Sequence, residues 1–228
     1  MMTPHPVTIE TGEITLPGDI AVQPDSRGLV VFAHGSGSSR HSPRNQHVAR
    51  VLVRHGFATL LMDLLTEAEE AEDRLSAAYR FDVESLASRL AGATRWACSH
   101  GETKGMDIGY FGASTGAAAA IVAASRLPDS VQAIVSRGGR PDLAGAAALE
   151  SVRAPTLLIV GGADTEVLDL NRKAAACLRA PHEISIVMGA THLFGEPGTL
   201  DQVAALAGEW FRKHLGKPRS YPSSASRE

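Results

Sequence analysis

Short runs of β-branched and large aliphatic residues alternate along this chain with longer segments in which apolar positions recur every three or four residues. LVVFA (29–33), ATLLM (58–62), TLLIV (156–160) and ISIVM (184–188) are apolar at nearly every position, as strands covered on both faces should be. The pattern predicts strands over Val7–Glu10, Ile14–Ile20, Leu29–Ala33, Phe57–Asp63, Met106–Phe111, Val131–Ser136, Pro155–Val160 and His182–Met188. Between them it predicts helices over Asn45–His55, Phe81–Ser99, Thr115–Ala124, Val167–Leu178 and Leu200–His214. In the fourth helix Val167, Leu168, Leu170, Ala174, Ala175 and Leu178 share one face and leave Asp169, Asn171 and Lys173 for solvent. The first two strands fit an antiparallel hairpin. The strand and helix alternation that follows calls for an α/β fold, a parallel sheet clad on both faces.

Two stretches depart from this pattern. Residues 64–80, LLTEAEEAEDRLSAAYR, are acidic and read as a solvated helix face or loop. The tail 216–228, GKPRSYPSSASRE, is polar and proline-bearing and is expected to be disordered, which leaves residues 1–215 as a single domain.

Composition narrows the partners. With 228 residues, 44% hydrophobic and 21% charged, the chain can bury a sizeable core. A formal net charge of -3 supplies no basic field to draw it onto nucleic acid or an anionic membrane, so the expected partner is a small molecule. The two cysteines, Cys98 and Cys177, fall in predicted helices and read as reduced, buried thiols. The segment MMTPHPVTIE lacks the apolar core of a secretory signal, and no apolar run reaches the roughly 18 residues of a membrane helix. The expectation is a cytoplasmic protein with no metal or cofactor; nothing here sets its oligomeric state.

The chemistry gathers at strand ends. Gly112-Ala113-Ser114-Thr115-Gly116 matches G-x-S-x-G, the sharp strand-to-helix turn that lifts a serine above a sheet. The motif is short, but it follows the strand-like MDIGYF and opens the helix-like TGAAAAIVAA. Its glycines have a steric purpose, because side chains two positions either side of the serine would meet neighbouring backbone. A serine hydroxyl needs a base to take its proton, and the base needs a group that fixes its tautomer. TLLIV runs into GGADTEV and EISIVM into GATHLF, so Asp164 and His192 fall after later strands, in the order Ser, acid, His. Asp164 has a duller reading as a helix cap, and Glu166 competes with it as the acid. His192 has one as an ordinary loop histidine. For the oxyanion the backbone N–H of Thr115 and that of Ser36, in the glycine-rich HGSG loop, are the candidate donors. That loop also fits an ordinary turn or a phosphate cradle. His34 is expected to brace it.

On HGSG, GASTG, GGADTEV and GATH the chain resembles the α/β-hydrolase superfamily, and within it the dienelactone hydrolase-like group of small esterases, from about Leu29 to His214. The resemblance implies an eight-stranded, mostly parallel sheet without a cap domain and a Ser114, His192, Asp164 triad. Dienelactone hydrolases themselves carry a cysteine at the elbow, where this chain has Ser114. Similar sequences also occur joined to phosphoribosyltransferase domains, for which this chain has no room. The expected activity is hydrolysis of small or medium soluble esters or lactones through an acyl-enzyme. A thioesterase or acyltransferase using the same residues, or a non-catalytic binding module, is the alternative. Arg137 and Arg140, in SRGGRPDL, and Arg40 are candidates for holding a substrate carboxylate, against a duller reading as solvent-facing arginines or a pair with Asp142.

Overall fold

The computed structural model describes residues 3–12 and 14–216. Eight strands form one sheet: β1 (His5–Glu10), β2 (Thr15–Ala21), β3 (Leu29–Ala33), β4 (Ala58–Met62), β5 (Ile108–Ala113), β6 (Val131–Arg137), β7 (Thr156–Gly161) and β8 (His182–Val187). Their order is β1-β2-β4-β3-β5-β6-β7-β8. The β1/β2 and β2/β4 pairs are antiparallel and every later pair is parallel. The sheet and its helices have the α/β-hydrolase architecture, and no cap domain occurs among the described residues.

Alternation along the strands divides the core in two. Val30 and Phe32 face one side, where helices α1 (Pro43–Arg54) and α7 (Thr199–His214) bring Val48, Leu52 and Phe211. Val31 and Ala33 face the other, against α3 (Val83–Ser99) and α4 (Thr115–Arg126), with Leu90 and Ile121. Phe32, Phe111 and Phe211 are each at most 1% exposed. Burying side chains of this size stabilises the fold by about 1.5–3 kcal/mol apiece. Ala117, Ala118, Ala119 and Ala120 are fully buried, and their small side chains let α4 lie close on the sheet behind the elbow.

The structure adds elements to the expected pattern and corrects the placement of two side chains. The acidic stretch forms helix α2 (Glu67–Ser76), begun by a capping box in which Glu69 N–H donates to Thr66 Oγ1 and Thr66 N–H to Glu69 Oε2. A 3-10 turn (Pro141–Ala144) and a short α5 (Gly145–Ser151) fill the β6 to β7 connection, and α6 runs Thr165–Ala175. Asn171, expected in solvent, is fully buried on α6. Its Nδ2 donates to Gly139 O at 2.9 Å and Val167 O at 2.8 Å, so the helix reaches across to the loop after β6. Cys98, expected in the core, is exposed; it and half-buried Cys177 are free thiols. No helix of the described residues is long and apolar enough to cross a membrane. Except for Gly216, the tail lies outside the described residues.

Candidate active site

The loops after β3, β5, β6, β7 and β8 meet at the carboxyl edge of the parallel strands, where open α/β sheets bind ligands. At the tip of β5 Ser114 has φ 50° and ψ −122°, outside the regions an L-residue normally occupies. Neighbours enforce it. A Cβ on Gly116 would lie 2.2 Å from Ala33 O and one on Gly112 2.5 Å from Ala117 Cα, so both flanks of the turn demand glycine. Ser114 N–H donates to Arg137 O at 3.3 Å, and Ser114 O accepts from Arg140 N–H at 3.0 Å, which ties the elbow to the end of β6.

The β7 and β8 loops interlock. A Cβ on Gly161 would come within 2.3 Å of Ala190 O, and Ala163 N–H donates to that same carbonyl at 2.9 Å. Asp164 and His192 are thereby set face to face, Nδ1–H of the ring donating to Asp164 Oδ2 at 2.8 Å. A proton held on Nδ1 leaves the lone pair on Nε2. Asp164 occupies the N-cap position of α6 yet makes no side-chain capping bond, so its carboxylate serves the histidine. Glu166 lies instead in the field of Arg140. No hydrogen bond joins His192 to Ser114; residues 137–138 bridge them. Arg137 holds the elbow, and a Cβ on Gly138 would be 2.9 Å from His192 O and 3.6 Å from Nδ1.

The HGSG loop closes the other side. A Cβ on Gly35 would lie 2.9 Å from Ser114 Cβ, and Ser36 Oγ is 3.1 Å from Thr115 Oγ1. Neither Ser36 N–H nor Thr115 N–H has an acceptor among the described residues. Two main-chain donors are thus left open beside the serine, and Thr115 begins a helix whose dipole favours negative charge there. Between this loop and α2 lies a cavity of about 260 Å³, lined by Ser36, Thr115, Leu64, Glu70, Arg74 and Arg80 among others. Asp73 fixes the far wall, accepting the N–H groups of Tyr79 and Arg80 and the Nε–H of Arg80. Sequence reasoning left this wall without a role. The T-x-x-E start at Thr66–Glu69 was the available sign of an ordered helix there. A larger cavity, about 330 Å³, opens between α1 and strands β2 and β4 and shares no lining residue with the elbow region.

The arginines part company. Arg40 is held by Asp63 and by Asp19, the latter at 3.3 Å. Arg140 forms a bidentate pair with Asp142 at 2.9 and 2.8 Å. Arg137 turns toward α1 and is 6% exposed.

Comparison with known proteins agrees with this architecture. Residues 19–214 match the profile of the dienelactone hydrolase family. Two Mycobacterium tuberculosis proteins, named only provisionally as phosphoribosyl transferases, are 55% identical over 212 residues, 93% of this chain and 47% of theirs. The chain therefore spans about half the length of those curated relatives. The crystal structure of dienelactone hydrolase from Anabaena variabilis superposes with a TM-score of 0.91 at 52% identity, covering 93% of this chain and 98% of that one. Est1E from Butyrivibrio proteoclasticus shares the fold at 15% identity, TM-score 0.76, over 91% of this chain and 98% of its own. The chain belongs to the dienelactone hydrolase family.

Proposed function

We propose that this hydrolase cleaves carboxylic esters or lactones of small to medium soluble substrates through an acyl-enzyme formed on Ser114. The observation that carries the reading is the strained serine at φ 50°, perched on a glycine-flanked turn between β5 and α4. Backbone strain of this kind persists only where the surroundings enforce it, and such strain gathers at functional sites.

In the proposed cycle Ser114 Oγ attacks the carbonyl carbon as its proton passes to His192 Nε2. Asp164 holds the ring on its Nδ1 side and stabilises the imidazolium. The N–H groups of Ser36 and Thr115 receive the developing oxyanion, each such donor contributing about 3–4 kcal/mol in related chemistry. The imidazolium then protonates the departing alkoxide. Water, deprotonated by the same ring, attacks the acyl carbon, and the imidazolium passes that proton to Ser114 Oγ as the acid departs. The gap between Ser114 and His192 closes when substrate occupies the cleft, since such contacts tighten in the reacting complex. The 260 Å³ cavity suits a modest acyl or alcohol group.

The test is turnover of p-nitrophenyl acetate and of the lactone dihydrocoumarin by the wild type and by Ser114→Ala. The reading requires that kcat fall by at least about a thousandfold for both substrates. A variant that kept wild-type turnover would refute it.

A further inference from the structure

Arg137 is an arginine in the core without a counter-charge. Its Nη2 reaches Asn45 Oδ1 only at 3.5 Å, its guanidinium carbon lies 6.0 Å from the centre of the Phe194 ring, and its Nε is buried with no acceptor. Arg44, in the first turn of α1, adds to the positive field on Arg137, and its own Nε is likewise buried and unpaired. Among the described residues no carboxylate forms an ion pair with either guanidinium. Burial and the nearby Arg44 bring Arg137 down to about 10, which leaves it charged at neutral pH.

A buried cation normally has a partner, and two that repel one another need one more. The start of α1 offers no relief: Pro43 has no N–H, Ser42 Oγ already takes Asn45 N–H, and Arg44 N–H has no acceptor among the described residues. The open N–H of Arg44 and the positive end of a twelve-residue helix are thus added to two guanidinium forks. Every element favours negative charge. The fork geometry selects an oxyanion over a spherical halide.

We infer that Arg137, Arg44 and the first turn of α1 form a binding site for an oxyanion, a phosphate or carboxylate group, beside the turn that carries His192. Occupancy bears on the active centre through two links. Phe194, against which Arg137 packs, sits at φ 54° two residues after His192, and the main chain of Arg137 holds Ser114. The anion comes either from solution or from a substrate that carries one, and two measurements separate these sources.

The first is thermal melting with isothermal titration, using inorganic phosphate against chloride at equal ionic strength, on wild type, Arg137→Met and half-buried Arg44→Gln. Phosphate should bind wild type saturably and raise its Tm by about 5–10 °C at a hundredfold excess over Kd. Its affinity should drop at least tenfold in Arg44→Gln, which keeps the test valid if Arg137→Met does not fold. The second compares kcat/KM for p-nitrophenyl acetate and for p-nitrophenyl hydrogen succinate in wild type and Arg44→Gln. If phosphate does not bind but the acidic ester alone loses tenfold or more in the variant, the site holds and its occupant is the substrate. Failure of both contrasts overturns the site. The phosphate measurement needs no turnover, so it stands or falls apart from the ester hydrolase reading.

Discussion

His34 Nε2 accepts the backbone N–H of Leu64 at 3.0 Å, while its Nδ1–H donates to Gly35 O at 3.0 Å. One neutral imidazole thus fastens the HGSG loop to the end of β4 and to the wall of the cavity. A proton added at Nε2 would remove the acceptor that Leu64 uses. Burial accordingly holds the His34 pKa below the ordinary histidine value.

Because the unfolded chain titrates His34 near 6.5 and the folded chain below it, the unfolded state takes up this proton first as pH falls. The contribution is complete above 6.5 and is lost as pH drops from there toward the folded value, by at most about 1.4 kcal/mol per pH unit for one proton. Urea unfolding of wild type and His34→Phe should show a stability difference favouring the wild type at pH 7.5 that narrows by pH 5.5. A constant or widening difference would contradict the role assigned to His34.

Gly116→Ala sets helix propensity against sterics. Alanine in a helix is favoured over glycine by up to about 1 kcal/mol, but the new Cβ would lie 2.2 Å from Ala33 O and 2.5 Å from His34 O, both main-chain atoms. The collision wins, and the variant should lose about 3 kcal/mol or more by chemical denaturation, or fail to accumulate folded. Equal or greater stability would mean that α4 does not press on β3 as described.

Asp164→Asn keeps the size of the side chain and removes its charge. Asparagine either donates to Nδ1, forcing the proton onto Nε2, or leaves the imidazolium without its counter-ion. A loss of about 10³–10⁴ in kcat with KM little changed is expected, whereas Glu166→Gln should stay within about threefold of wild type. Steady-state kinetics on p-nitrophenyl acetate decides it. A larger loss in the Glu166 variant would reassign the acid.

Asn171→Leu removes the two hydrogen bonds from Nδ2 but also an Oδ1 that is buried without a partner. The effects partly cancel, which puts the cost near the low end of about 1–3 kcal/mol for a buried carbonyl, Gly139 O, left without its donor. Because that loop carries Gly138 against His192, kcat should fall more than stability alone would suggest. Unchanged kcat would show that the α6 contact does not position the loop.

What could be read in the sequence follows from how local each constraint is. The elbow was legible because its backbone forces glycine at 112 and 116, and that steric demand is written into consecutive residues. The parallel sheet was legible from strands such as β3, buried at all five positions. Asn171 was misread because a polar residue on a helix looks solvated until a distant loop, here at Gly139, is folded against it. The acidic stretch has the same character: most of α2 faces solvent as its composition implies, but Glu70 and Arg74 line the cavity because β4 ends beside the HGSG loop. Cys98 was misread because a free cysteine in a helix is buried by default, whereas on α3 it is the adjacent Ala97 that faces inward.

The most direct measurement of the central claim is exposure of the protein to a fluorophosphonate, followed by peptide mapping. The account predicts one stoichiometric adduct on Ser114, formed far more slowly when His192 is replaced by alanine. An adduct on another serine, or none under conditions where the ester is turned over, would contradict it.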